Sequence, residues 1–260
     1  MTFEEFGTEN EKTLMLLPGT ACTWQINFGQ VKEELEKKYH LICVNYDGFD
    51  GNKSVSFPGM ITVTKKIEKY IKKEHGGRVD GAYGSSLGGS FVGQLIQRNI
   101  IHIDHGFIGS SDLDQGSPFV AKIATSIIGG ALQGSINDPK KRKRLYKLSE
   151  SVLGIKVDEE MKGFEEQFVS AMAEYHPNAI KREFYSDYVT PLEDGICVSG
   201  TKIHVIYALK MGKKYEKRYL QHFADPDIIR FNMGHEAWIY DKKWRKPVMD
   251  AIDKAMGYGV

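Results

Sequence analysis

The chain has 260 residues, enough for one large α/β domain or two small ones and for a sizeable buried core. Its 35 basic and 34 acidic residues leave a net charge of +1, which excludes a global field that would recruit nucleic acid or an anionic membrane. Three cysteines, Cys22, Cys43 and Cys197, lie at spacings that fit neither a disulfide framework nor a zinc site, and no run approaches the ~20 apolar residues of a membrane span. No basic-then-apolar leader opens the chain, so a cytoplasmic protein without stable membrane insertion is expected.

Residues 1–11 are polar and should give an edge strand or a tail. Thr13–Leu17 is a short apolar run closed by Pro18-Gly19, the pattern of a central strand buried on both faces. Residues 24–39 place Val31, Leu35 and Tyr39 on one helical stripe. Residues 41–46 are the next apolar strand, ended by Asp47-Gly48-Phe49-Asp50-Gly51. Residues 60–73 form a second amphipathic helix, with Ile61, Ile67 and Ile71 among its apolar positions. A buried strand beginning at Val79 then ends in Gly84-Ser85-Ser86-Leu87-Gly88 and runs into a helix over residues 91–98. Residues 101–110 give a further strand. Repeated strand-helix alternation implies a mostly parallel sheet covered by helices.

Between about residues 113 and 200 the alternation stops. Residues 119–132, 141–153, 159–175 and 178–188 each carry a helical pattern, separated by Gly134, Asp138-Pro139 and His176-Pro177. The first of them, rich in Phe119, Val120, Ile123, Ile127, Ile128 and Leu132, either packs against the sheet or lines an apolar pocket. Lys202–Ala208 resumes the sheet, followed by a helix over 215–223, a last strand over 227–232 and a closing helix over 237–256.

A Gly-x-Ser-x-Gly sequence arises often by chance in a chain with 27 glycines. Here it stands between a strand and a helix, with Leu17-Pro18-Gly19-Thr20 upstream and Asn232-Met233-Gly234-His235-Glu236 near the C-terminus. In that order these pieces resemble the α/β-hydrolase superfamily over essentially the whole chain. The resemblance implies an α/β fold of one domain, residues 1–260: a mostly parallel sheet flanked by helices, core 1–112 and 201–260. It also implies an all-helical lid, approximately 113–200, inserted after the sixth strand of the fold.

The resemblance further implies a serine hydrolase that cleaves a carboxylic ester or related acyl bond of a small, partly apolar substrate. Serine is a weak nucleophile at its own pKa, so Ser86 needs a base, and His235 lies in the loop after the last strand, where the superfamily keeps its histidine. The backbone N–H groups of Leu87 and Thr20 would form the oxyanion hole, with Ala21 as the neighbouring alternative. Pro18 stands where a histidine is common. The usual acid position, Leu209-Lys210-Met211-Gly212, holds no carboxylate. Asp112, after the preceding strand, is the favoured acid; Glu216, another residue or a two-residue arrangement are the alternatives. Trp24, Phe49 and Tyr83 would border the substrate. No metal or organic cofactor is implied. Competing readings are a thioesterase, a carbon-carbon hydrolase or lyase on the same fold, and a non-catalytic ligand receptor. Three other features carry bland readings. His102 and His105 point to opposite faces of a strand, Lys140-Lys141-Arg142-Lys143-Arg144 is a solvated helix face, and Ser85 to Gly89 lacks the lysine of a phosphate loop.

Overall fold

The computed structural model describes residues 1–136 and 167–258 and, between them, residues 138, 140, 141, 143, 144 and 147. Seven strands, β1 Thr2–Phe6, β2 Thr13–Leu17, β3 His40–Asn45, β4 Arg78–Ser85, β5 His102–Gly109, β6 Lys202–Ala208 and β7 Asp227–Phe231, form one sheet. Its order is β1-β3-β2-β4-β5-β6-β7. Strand β1 runs antiparallel to β3 at one edge, and every other pairing is parallel. Leu14, Met15, Leu16 and Leu17 of β2 are wholly buried, as a strand covered on both faces requires, whereas edge strand β1 is only half-buried and carries Glu4 and Glu5.

Helix α1, Trp24–Leu35, begins where the Thr23 hydroxyl accepts the Ile26 N–H, which satisfies one donor left open at a helix start. Helices α2, Met60–Glu74, and α3, Leu87–Arg98, pack together. The Arg98 guanidinium joins them through both carboxylate oxygens of Glu68, at 2.6 and 3.0 Å. At the centre Tyr83 sets its ring edge-on to Phe28 and Trp238, with centroids 6.0 and 5.2 Å apart.

The helical insertion lies between β5 and β6. It contains α4, Pro118–Ile136, packed on α5, Ala179–Val189. The insertion follows the fifth of this chain's seven strands. The helices expected over 141–153 and 159–175 lie mostly outside the described residues, although 167–172 are helical. Of the apolar residues of α4, Phe119, Val120, Ile123 and Ile127 are 74, 47, 50 and 67% exposed, while Ala121 and Thr125 face inward. The sheet resumes at β6, followed by α6, Lys214–His222. The closing helix is broken into α7, Ala237–Tyr240, and α8, Lys242–Ala255, because Asp241 is extended and its carboxylate caps the Lys243 N–H at 2.9 Å. No helix among the described residues is long and apolar enough to cross a membrane.

Candidate active site

Parallel strands end together, so the register of β2, β4, β5, β6 and β7 fixes a common edge. Leu17 lies beside Gly84, Ser85 beside Gly109, Gly109 beside Ile206, and Ala208 beside Phe231. The loops that start at Pro18, Ser86, Ser110 and Asn232 therefore rise from one rim of the sheet. Backbone strain gathers there too. Of six non-glycine residues at positive φ among those described, Ala21, Ser86, Ser110, Leu113 and Glu236 belong to this rim, and only Asn99 is a helix C-cap.

Ser86 adopts φ 53°, ψ −117° at the turn between β4 and α3. Its N–H donates to the Gly109 carbonyl at 2.7 Å, and its own carbonyl accepts the Gly89 N–H at 2.8 Å. A methyl group on Gly84 would overlap the Gly88 backbone, and one on Gly88 would overlap the Leu17 carbonyl. Both glycines are thus required by close approach of backbone to backbone. The helix begins at Leu87, four residues earlier than its apolar pattern indicates, so the Leu87 N–H is an open donor at a helix start.

The loop after β2 closes over this turn. A methyl on Gly19 would stand 3.4 Å from the Ser86 Cβ. The loop is held on every side: Gly19 N–H donates to Asn27 Oδ1 at 2.5 Å, Ala21 N–H to Glu183 Oε2 at 2.8 Å, Cys22 N–H to the Gly19 carbonyl at 3.2 Å and Trp24 N–H to Asn45 Oδ1 at 2.7 Å. The Tyr46 hydroxyl donates to the Pro18 carbonyl at 3.1 Å. The N–H groups of Thr20 and Leu87 make no hydrogen bond among the described residues. Two open donors thus lie in the Ser86 turn and in the loop that closes over it.

His235 reaches the same rim through its neighbour. Glu236, buried and at φ 50°, donates its N–H to Ser110 Oγ at 3.3 Å and accepts the Tyr83 hydroxyl proton on Oε2 at 2.9 Å; the Trp238 indole N–H in turn donates to Tyr83 at 2.8 Å. Burial raises the Glu236 carboxyl to about 7, against the opposing hydrogen bonds from Ser110, Tyr83, Ser85 and Trp238. That network pins the histidine loop to the ends of β4 and β5. Burial also lowers the His235 imidazole to about 4, which keeps it neutral and able to accept a proton. No hydrogen bond joins this ring to Ser86 or to a carboxylate among the described residues.

Asp112 lies in the loop after β5, with Oδ1 3.3 Å from the Asp114 N–H that it accepts. Its carbonyl accepts Arg218 Nη1 at 2.6 Å, and Arg218 pairs with Asp114. Burial, then the charge of Asp114, raises the Asp112 carboxyl. No hydrogen bond joins it to His235 among the described residues. Glu216 pairs with Arg230 of β7. Of the aromatic residues expected at the substrate, Tyr83 is a core residue and Trp24 packs on Phe6 while donating from its indole to Glu4. Phe49 is buried against Phe57 and Tyr175. His105 Nδ1 lies 3.2 Å from His204 Nε2, and no group of three metal-binding side chains occurs among the described residues.

Sequence reasoning missed Asn27, Glu183 and Glu236. Glu236 had a signal, since it directly follows His235. Glu183 and Asn27 look like ordinary polar helix positions, and only the tertiary fold turns them inward.

The fold is that of the α/β hydrolases. The chain is similar to solved structures of a hydrolase from Pseudomonas aeruginosa PA01 (TM-score 0.73, 12% identity, 98% of this chain and 93% of that one), an esterase from Exiguobacterium antarcticum (0.71, 13%, 97% and 94%) and the type II thioesterase BorB from the borrelidin biosynthetic cluster (0.66, 15%, 94% and 92%). At the level of sequence, no family model and no curated protein matches it.

Proposed function

We propose that the protein is a serine hydrolase that cleaves a carboxylic ester or related acyl bond of a small, partly apolar molecule through an acyl-enzyme. The observation that carries this reading is the Ser86 turn, a non-glycine residue at φ 53° between two glycines whose Cα hydrogens touch backbone. Such strain costs about 1–3 kcal/mol and persists only where surrounding structure enforces it. In this reading Ser86 Oγ attacks the substrate carbonyl while neutral His235 takes its proton. The N–H groups of Thr20 and Leu87 hold the oxyanion. The imidazolium then protonates the leaving group; His235 draws a proton from water as it attacks the acyl-enzyme and returns it to Ser86 Oγ as the carboxylic acid departs. Ser86 and His235 act as a pair, and Asp112 is the carboxylate that would complete a triad on release from Asp114.

A serine-directed phosphonate is the test. Stoichiometric labelling of Ser86 in the wild type, lost in Ser86→Ala with hydrolysis of a short acyl ester, supports the reading. Labelling elsewhere on folded protein, or ester turnover unchanged in Ser86→Ala, refutes it. The thioesterase reading is favoured by the likeness to BorB alone, and a panel of matched esters and thioesters separates the two.

A further inference from the structure

The loop between β2 and α1 shows an uneven distribution of hydrogen bonds. Gly19, Ala21, Cys22 and Trp24 donate their N–H groups to the protein, whereas Thr20, next to Gly19 at the Ser86 turn, and Thr23, at the helix cap, do not. Three of those acceptors are local: Asn27, the Gly19 carbonyl and Asn45. The fourth comes from 162 residues away, the carboxyl of Glu183 on α5 of the helical insertion. We propose that Glu183 is the positioning residue of the oxyanion loop: by binding the Ala21 N–H it holds the chain in the turn that leaves the Thr20 N–H free for substrate. This rests on the serine-hydrolase reading above.

Two features of the pair support it. Ala21 stands at φ 55°, a conformation that costs an L-residue about 1–2 kcal/mol and needs an external hold. Glu183 is itself wholly buried, and its second oxygen, Oε1, has no hydrogen-bond partner. A half-satisfied carboxyl in the interior costs stability, and an apolar residue of similar size would remove that cost only by stranding the Ala21 N–H, so what Glu183 specifically supplies is the acceptor for Ala21. Burial holds the group well above the ordinary carboxyl range. In its neutral form the carbonyl oxygen is the acceptor for Ala21, and an amide reproduces that acceptor. The insertion thereby acquires a direct mechanical link to the catalytic loop.

The experiment compares wild type, Glu183→Gln, Glu183→Leu and Ser86→Ala, all checked for folding by thermal melts. It reads kcat and KM on a short acyl ester and the inhibition constant of an alkyl trifluoromethyl ketone, which forms a tetrahedral oxyanion on the serine. Glu183→Leu should lower kcat about 100-fold, the cost of a lost oxyanion donor. Its KM should stay within about threefold, and the ketone should weaken in parallel with kcat. Glu183→Gln should restore all three to within about threefold of wild type. A folded Glu183→Leu with wild-type kcat and ketone affinity overturns the proposal, as does a Gln variant as impaired as Leu. If neither variant folds, amide exchange in the wild type decides: protection at Ala21 with fast exchange at Thr20 supports the assignment, and the reverse order overturns it. Ester turnover that survives Ser86→Ala sinks the serine reading instead, and the exchange pattern still reports on the loop.

Discussion

Catalysis through His235 needs the neutral ring, so the pH at which kcat/KM halves on the acid side reads the pKa of that ring in the free enzyme. Burial places it at about 4 instead of 6.5. At about 1.4 kcal/mol per tenfold, that difference is about 3 kcal/mol of disfavoured charge. With a neutral ester, kcat/KM should stay level from about pH 8 down to about 5 and halve near 4. The stability consequence has a definite sign. The unfolded chain takes a proton on this ring below about 6.5 and the folded one resists it down to about 4, so stability is full above that window and falls by up to about 3 kcal/mol across it. Denaturant melts at each pH separate unfolding from titration. A half-point at 6.5 or above in protein still folded would refute the reasoning, since it would require a carboxylate against the ring. Asp112→Asn then identifies it: if Asp112 is that group, the half-point drops toward 4 and kcat falls by orders of magnitude; under the pair mechanism both stay near wild type.

Glu236→Gln should change the pH dependence of stability. The folded wild type keeps the Glu236 proton up to about 7, while the unfolded chain releases it near 4.5, so this residue makes stability fall by up to about 3 kcal/mol as pH rises from 4.5 to 7. That slope opposes the one from His235 over most of the window. The Gln variant should therefore show rising stability from pH 4 to 6.5 and a plateau to pH 8, measured by urea melts; a curve parallel to wild type counts against the buried-acid assignment. Gly84→Ala should destabilise by more than about 3 kcal/mol or prevent folding, because its methyl meets backbone that cannot move aside. Gly29→Ala, in α1 with open space around it, is the control and should stabilise by about 0.5–1 kcal/mol. Equal effects in the two melts would remove the argument from close packing.

The strands were legible because a buried parallel strand must be apolar throughout, and Thr13–Leu17 and Lys202–Ala208 form as their composition indicates. Ser86 was legible for a related reason: glycines at fixed offsets record a steric demand of the backbone itself. The helices of the insertion were harder. Apolar spacing in α4 indicates which residues share a face and is silent on what that face meets, so Phe119 and Ile127 could be read as buried when they are exposed. Tyr83 and Trp24 raise the same question, since both are buried in the structure and an aromatic residue beside a motif is as well suited to core as to pocket. Glu183 and Asp112 depend on contacts between segments distant in sequence, which residue spacing does not encode.

One electrostatic property unites the rim around Ser86. Burial raises the carboxyls of Asp112, Glu183, Asp187 and Glu236 and lowers the imidazole of His235, so each is driven toward its uncharged form. In the proposed mechanism, a low-dielectric surround strengthens the dipoles of the Thr20 and Leu87 N–H groups on a developing oxyanion. It also penalises the imidazolium that would form when His235 accepts the serine proton, and no hydrogen bond joins the ring to a carboxylate among the described residues to offset that. Forming that imidazolium as Ser86 attacks should then be the strained part of the cycle. Once formed, so acidic a cation gives its proton readily to the leaving group. For a series of esters with one acyl group, log(kcat/KM) should therefore depend only weakly on leaving-group pKa, because the costly proton transfer precedes departure. Asp112→Asn should leave the slope unchanged, because no hydrogen bond joins Asp112 to the ring among the described residues. A steep fall from aryl to alkyl esters would show that the imidazolium holds its proton, and would place an ionised carboxylate beside it in the working enzyme.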